Sequence, residues 1–340
     1  MTTHIAQEGL SAPTIAQEGR AVTARPSRRS SDSRKAKKRW VVFWMLAPAL
    51  AGLLVFFVYP LLASVYYSFT RYDLVTPPEW IGTRNYEFLF TKDPRVWISA
   101  GNTLWFVLIL VPVRIITAMI VAGILARAKM ASGLWRTLFY LPALVPPVAG
   151  TVAFVFLFNP GTGPVNLILK SIGIQGPLWF NDPAWSKPSL LLLGVWVMGD
   201  IMIIFLAALL DVPQDQYEAA SLDGANVLQK VRYVTLPSIS PVIIFAVVTG
   251  VIAALQYFTE AAVASGVASG KAVVGEGTGV SLGYPQGSLL TFTEWLYVRG
   301  FSQYQLGYAS ALAVLLFVAA AIFLIALLRQ VKAFTPEELR

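Results

Sequence analysis

The sequence predicts an all-α integral membrane protein of six transmembrane helices, and three observations carry that expectation. Charged residues make up 13% of the 340, while apolar residues make up 56%; soluble domains carry about 25% charge. No charge at all falls between Arg39 and Arg71, and five further apolar segments follow. Each approaches the roughly 20 residues that cross a bilayer as a helix. Finally, Lys and Arg are distributed unevenly between the connecting segments, as membrane topology requires.

The elements run in order as follows. Residues 1–39 lack periodicity and are rich in Ser, Ala, Arg and Lys, so a disordered cytoplasmic tail is expected. The repeat "IAQEG" at Ile5 and Ile15 reads as a local duplication within it. A cleavable signal peptide is excluded by the long polar lead, so the first apolar segment stays as an anchor. Six apolar segments are expected at roughly 41–65, 98–124, 138–158, 189–210, 240–262 and 305–328, within a transmembrane domain of about 40–330. Arg114 interrupts the second and Asp200 the fourth, and Pro48, Pro60, Pro112, Pro142, Pro146 and Pro147 predict kinks. A short cytoplasmic tail, 331–340, closes the chain.

Orientation follows from the Lys and Arg count. With the N-terminus in the cytoplasm, 17 of the 26 fall on cytoplasmic segments and 8 on outer ones, with Arg114 in the membrane. Both termini are therefore expected inside. Nine of these cations cluster between Arg20 and Arg39, just before the first apolar run. That placement fits a topology signal and contact with anionic lipid of the bilayer, not nucleic-acid binding. Cysteine is absent and His4 is the single histidine, which excludes disulfides and argues against thiolate or imidazole metal sites.

One polar stretch stands out between the fourth and fifth segments, at 211–240. Pro213 breaks what precedes it, and Asp215 followed by Glu218 has the spacing of a capping box. Ala219, Ala220 and Ala225 are small enough for close approach to another surface. Gly224 after Asp223 predicts a helix end, and Pro237 and Pro241 mark re-entry into the membrane. A short capped helix with a small-residue face suits a partner's groove.

The run "EAASLDGA", with "LP" eleven residues later, resembles the EAA loop of permease subunits in binding-protein-dependent ABC importers. Glu218, Ala219, Ala220, Asp223, Gly224, Ala225, Leu236 and Pro237 all match that pattern. The stretches "YPLLASVYYSFTRYDL", "NYEFLF", "RTLFYLPALVPPVAGTVAFVFLFNPGTGPVN" and "GYASALAVLLF" resemble the maltose-transporter type, and the likeness spans about residues 40–330. It implies the type I importer permease fold in a cell membrane. A second homologous permease, a dimer of ATPase subunits and an extracytoplasmic binding protein are implied as partners, with a sugar-like solute as cargo. ATP and Mg would be bound by the ATPase, with no cofactor in this non-catalytic subunit. The eight matched residues would form the ATPase-coupling contact. The chain departs from the family after Phe258, where the outer loop at 264–287 is longer and lacks a Gly-Gly-Pro segment.

Other signals resolve against rival chemistry. "SGVASGKA" lacks phosphate-loop spacing, since Gly266 and Gly270 are too close and Ala272 follows Lys271. Arg114 and Asp200 would face the solute pathway or pair with each other, because intramembrane charge needs a cavity or a partner. A stand-alone secondary transporter would need inverted repeats, and a membrane glycosyltransferase a convergent set of acids; neither pattern is visible.

Overall fold

The computed structural model describes residues 29–127, 132–270 and 282–334. The Ile5 and Ile15 repeat, most of the 1–39 tail, Lys271 and the middle of the 264–287 loop, and 335–340 fall outside the described residues. The chain forms two compact units, Met1–Pro60 and Leu61–Arg340.

In the first unit, α1 (Arg29–Leu53) leads into a π turn at Leu54–Val58. Residues 29–39 are thus helical, which corrects the expectation of disorder up to 39. The run 34–39 consists only of Arg, Lys and Ala, all strong helix formers, so the helix of the apolar segment extends back through it. Trp44, Met45, Phe56 and Phe57 are all exposed by well over half. A helix that is apolar all round suits lipid as its solvent.

The second unit begins within α2 (Tyr59–Ser68). It is not wholly helical: β1 (Thr70–Arg71) and β2 (Glu79–Trp80) pair antiparallel, with Thr70 opposite Trp80. Between them Asp73 Oδ1 accepts from Thr76 N (2.8 Å) and Val75 N (3.1 Å), a local turn that the sequence reading did not foresee. Then come α3 (Arg84–Thr91), α4 (Pro94–Trp105), a π turn at Phe106–Leu110 and α5 (Val111–Arg127). Helices α6 (Ser132–Tyr140) and α7 (Pro147–Leu157) precede α8 (Pro164–Ser171), α9 (Pro183–Trp196) and α10 (Gly199–Leu210). The polar loop holds α11 (Gln214–Leu222), α12 (Val227–Lys230), a π turn at Val231–Thr235 and α13 (Leu236–Ser238). Finally come α14 (Ser240–Leu255), α15 (Thr259–Ala268), α16 (Phe292–Tyr297) and α17 (Leu306–Phe334).

Three helical stretches are long and apolar enough to cross a membrane unbroken: Trp40–Ser68, Pro94–Arg127 and Leu306–Leu327. Three more candidates are bent pairs, Gly133–Leu144 with Pro147–Leu157 (97°), Pro183–Trp196 with Gly199–Leu210 (48°), and Val227–Ser238 with Ser240–Leu255 (70°). The fifth apolar segment, expected to run to 262, leaves its helix after Leu255. Thr293 Oγ1 donates to the freed Tyr257 carbonyl (3.0 Å), and the Tyr257 ring packs 4.8 Å from Phe106, so the break is held from neighbouring elements.

Proline placement accounts for several π turns and for the sharpest bend. A proline ring clashes with the carbonyl four residues back and supplies no N–H of its own. For Pro60, Pro112 and Pro237 those carbonyls belong to Phe56, Leu108 and Tyr233, each the central residue of a π turn. The wider turn relieves the clash and the helical path continues. At Pro146 and Pro147 two successive rings leave no such remedy, and the chain turns through 97°.

The core lies where α5 packs along α10 and α14. Ala118 and Ala122, one turn apart on α5, are fully buried, and small residues at this spacing let helix backbones approach closely. Gly199 opens α10 directly against the Phe139 carbonyl and Tyr140 Cα, so any side chain there would strike backbone. On the side expected to face outward, Asn102 Nδ2 donates to the Gly287 and Leu290 carbonyls (2.8 Å each), and Phe292 N donates to Thr103 Oγ1 (2.9 Å). These bonds fasten the 287–292 segment to α4.

A second cluster holds α4, α16 and α17 together around Asp93. One carboxylate oxygen, Oδ2, accepts from Trp295 Nε1 (3.0 Å), Arg299 Nη2 (2.9 Å) and Tyr308 Oη (2.8 Å). The Arg299 guanidinium also lies over the rings of Trp295 (4.5 Å) and Tyr308 (5.1 Å), adding cation–π attraction. Asp93→Ala would strand a buried arginine, so it should cost about 3–5 kcal/mol in thermal or denaturant unfolding of the solubilised protein. Removing the exposed partner in Arg71–Glu79 should cost less than about 1 kcal/mol.

Glu294 on α16 is fully buried, with Oε2 accepting from Thr291 N (3.0 Å) and Oε1 unpartnered. Burial pushes its carboxyl up to about 8 from the ordinary 4.5. The folded state therefore holds this proton more tightly than the unfolded state, and stability falls as pH rises from about 4.5 to about 8. Glu294→Gln should flatten that decline in melting curves recorded between pH 5 and 8.

Candidate functional site: an exposed loop and an intramembrane charge cluster

The loop between α10 and α14 is built by backbone chemistry that differs in one respect from the expectation. Pro213 has non-helical dihedrals (φ −58°, ψ 133°) and occupies the N-cap of α11, with no side-chain cap bond. The expected capping box of Asp215 and Glu218 is therefore not formed. Proline fixes the start two positions too early, leaving Asp215 inside the first turn, where its charge favours the helix dipole instead. The box that does form belongs to α12: Gln229 N donates to Asn226 Oδ1 (2.9 Å), and Asn226 N donates to Gln229 Oε1 (2.7 Å). Its Asn-x-x-Gln pattern was present in the sequence and could have been read.

Gly224 ends α11 as expected, with φ at +77°. Ala225 N donates to the Ala220 carbonyl (2.9 Å) and Gly224 N to the Ser221 carbonyl (3.1 Å), the two bonds of a Schellman motif. No atom would meet an added Cβ, so the left-handed φ is what calls for glycine. Tyr217 and Thr235 share a hydroxyl hydrogen bond (3.0 Å), and Lys230 Nζ donates to Ser221 Oγ (2.7 Å), bracing α11 against the π turn and α12 respectively.

Of the sequence-matched residues, Glu218, Ala219, Asp223, Gly224 and Pro237 are exposed, while Ala220, Ala225 and Leu236 are half-buried. Leu222 (90%), Leu228 (76%) and Tyr233 (68%) also stand largely free of the rest of the chain. The loop is thus braced from within and presents apolar tips outward.

Arg114 and Asp200 come together across α5 and α10. Arg114 Nη2 donates to Asp200 Oδ1 (2.7 Å) and Oδ2 (2.9 Å), and also to the Val197 carbonyl (3.3 Å). That carbonyl is freed by the bend between α9 and α10, so the arginine serves the backbone break as well as the carboxylate. The Asp200 side chain remains 52% exposed, opening onto a cavity of about 220 Å³. Glu260, in the first turn of α15, lines the same cavity, and Arg114 and Glu260 also border a second one of about 170 Å³. Glu260 was missed, although it lies inside the segment expected at 240–262 and the test that flagged Asp200 would have found it. Among the described residues, no group of three or more His, Cys, Asp or Glu could hold a metal ion.

Apolar spans, an exposed loop between two of them and a charged internal cavity define a multi-pass membrane permease. Residues 114–333 match the family of binding-protein-dependent transport system inner membrane components, and the chain belongs to that family. It is 39% identical over 285 residues to the probable ABC transporter permease protein YesP of Bacillus subtilis, covering 82% of this chain and 87% of that one. It is 36% identical to the lactose transport system permease protein LacF of Rhizobium radiobacter, covering 68% and 79%. A bacterial ABC transporter that imports the acidic polysaccharide alginate shares the fold. One of its chains aligns with a TM-score of 0.72 at 21% identity, over 89% of this chain and 99% of its own.

Asn226→Ala removes the side-chain acceptor of Gln229 N, leaving the bond from the residue 226 backbone N–H, and should raise amide exchange at 227–229 about five-fold, the equivalent of a cap worth ~1 kcal/mol. Asp215→Ala should change exchange less at the start of α11. Hydrogen–deuterium exchange mass spectrometry distinguishes the two.

Proposed function

We propose that this protein is one of two homologous permease subunits in an ATP-driven importer, forming with its partner a pathway for a sugar or sugar-like solute. The observation that carries this reading is the braced loop between α10 and α14, with its exposed apolar tips and its Gly224 helix end. Such a loop suits the groove of an ATPase subunit, through which nucleotide-driven closure would be passed to the spans. The relatives favour a saccharide: LacF is named for lactose and an Agrobacterium fabrum relative for sulfoquinovosyl glycerol. An extracytoplasmic binding protein would deliver the solute. ATP and Mg would be held by an ATPase dimer, with no cofactor in this subunit. The bent pairs count as single spans in this reading, giving six, with both termini in the cytoplasm. Asp200 and Arg114 border the pathway, where the half-exposed carboxylate can accept hydrogen bonds from solute hydroxyls.

Two experiments test the reading. Glu218→Lys should leave the complex assembled yet abolish the stimulation of ATP hydrolysis by the loaded binding protein; stimulation at the wild-type level would remove the coupling role. In intact spheroplasts, tags at residues 20 and 335 should be protected and tags near 175 and 280 accessible. Labelling of the 215–235 loop from outside would overturn the orientation.

A further inference from the structure

Asp200, Glu260 and Arg114 line one cavity, so one of the two acids lacks a cationic partner. Arg114 has spent Nη2 on Asp200 and the Val197 carbonyl, while its Nε is buried with no partner. Glu260 borders both cavities that Arg114 borders, yet enters no ion pair among the described residues. Arg114 and Glu260 thus border the same small space without bonding to each other. In such surroundings a carboxylate gains strongly from a cation, and one arginine cannot serve both acids equally.

The supports of the three groups differ in kind. Arg114 stands on α5, within the unbroken stretch Pro94–Arg127. Asp200 opens α10 just past the 48° bend, and Glu260 opens α15 just past the break that follows Leu255. Each acid sits in the first turn of a half-helix, where a change in the bend would move it relative to the straight α5. The long arginine side chain can follow either one.

We propose that Glu260 is the alternate partner of Arg114, and that exchange of the guanidinium from Asp200 to Glu260 distinguishes two conformations of the pathway. Glu260 is then a positioning residue, acting through Arg114. The ion-pair exchange itself follows from this chain's geometry, and its link to ATP hydrolysis rests on the permease reading above.

Thermal unfolding of the full-length protein in detergent tests the exchange alone. If either acid can satisfy Arg114, Asp200→Asn and Glu260→Gln should each shift the melting temperature by less than about 2 °C, while the double variant falls by about 5 °C or more. Additive shifts, or a full loss from Asp200→Asn alone, would overturn the proposal. Basal ATP hydrolysis by the complex in nanodiscs, with no binding protein or solute added, tests the switching. Asp200→Asn frees the arginine from the pairing seen here and should raise the basal rate at least three-fold. Glu260→Gln removes the alternate state and should lower it at least three-fold. A pair that merely holds the fold would move both rates the same way, which would also overturn the proposal. Failure of the ATPase subunits to co-purify would instead count against the permease reading, and the melting data would still decide the exchange.

Discussion

A backbone carbonyl stranded in hydrocarbon costs several kcal/mol, so every proline in an apolar segment must be answered from within the protein. The architecture of this chain follows from how that demand is met. At Pro60, Pro112 and Pro237 a π turn takes up the clash and the helix goes on. Where two occur together the helix ends, and where a bend frees a carbonyl, a side chain arrives to take it. Arg114 serves Val197 in this way, and Thr293 serves Tyr257. Both of these polar contacts therefore lie at breaks in the helical ladder.

The two arginine–carboxylate pairs of the second unit show how the same chemistry can serve different ends. Asp93 is buried and Arg299 mostly covered, ringed by aromatic side chains, and the carboxylate takes two further bonds from Trp295 and Tyr308. That pair has one arrangement available and behaves as a rivet. Arg114 and Asp200 are partly open, border cavities, and have a second acid within the same space. A carboxylate with three donors converging on it holds one arrangement, and a second acid beside a single arginine creates alternatives.

Much of this was legible in the sequence, because hydropathy reports lipid exposure directly. The apolar segments, the polar loop between α10 and α14, and the Gly224 helix end could all be read from local pattern. The misreadings concern what a neighbour does. Pro213 and Asp215 were both visible, yet which of them caps α11 depends on where the preceding chain turns. Leu255 could not be identified as a helix end without Thr293, far along the chain, to hold the break. The Asp93 cluster joins α4, α16 and α17, and no local periodicity announces it. Glu260 is different in kind, since its charge inside an apolar segment was plain and simply went unweighed.

The π turn before Pro112 has a further consequence for the direction in which side chains point. On an uninterrupted α-helix, positions 102 and 114 would lie about 120° apart around the axis. The extra residue absorbed by the wide turn withdraws one step of about 100°, which brings them to within about 20° of each other. Asn102, which fastens the 287–292 segment, and Arg114, which meets Asp200, therefore share one side of a single long helix. The proline acts as a phase corrector: it puts the outer anchor and the internal charge in line, so a rotation of this helix would carry both at once.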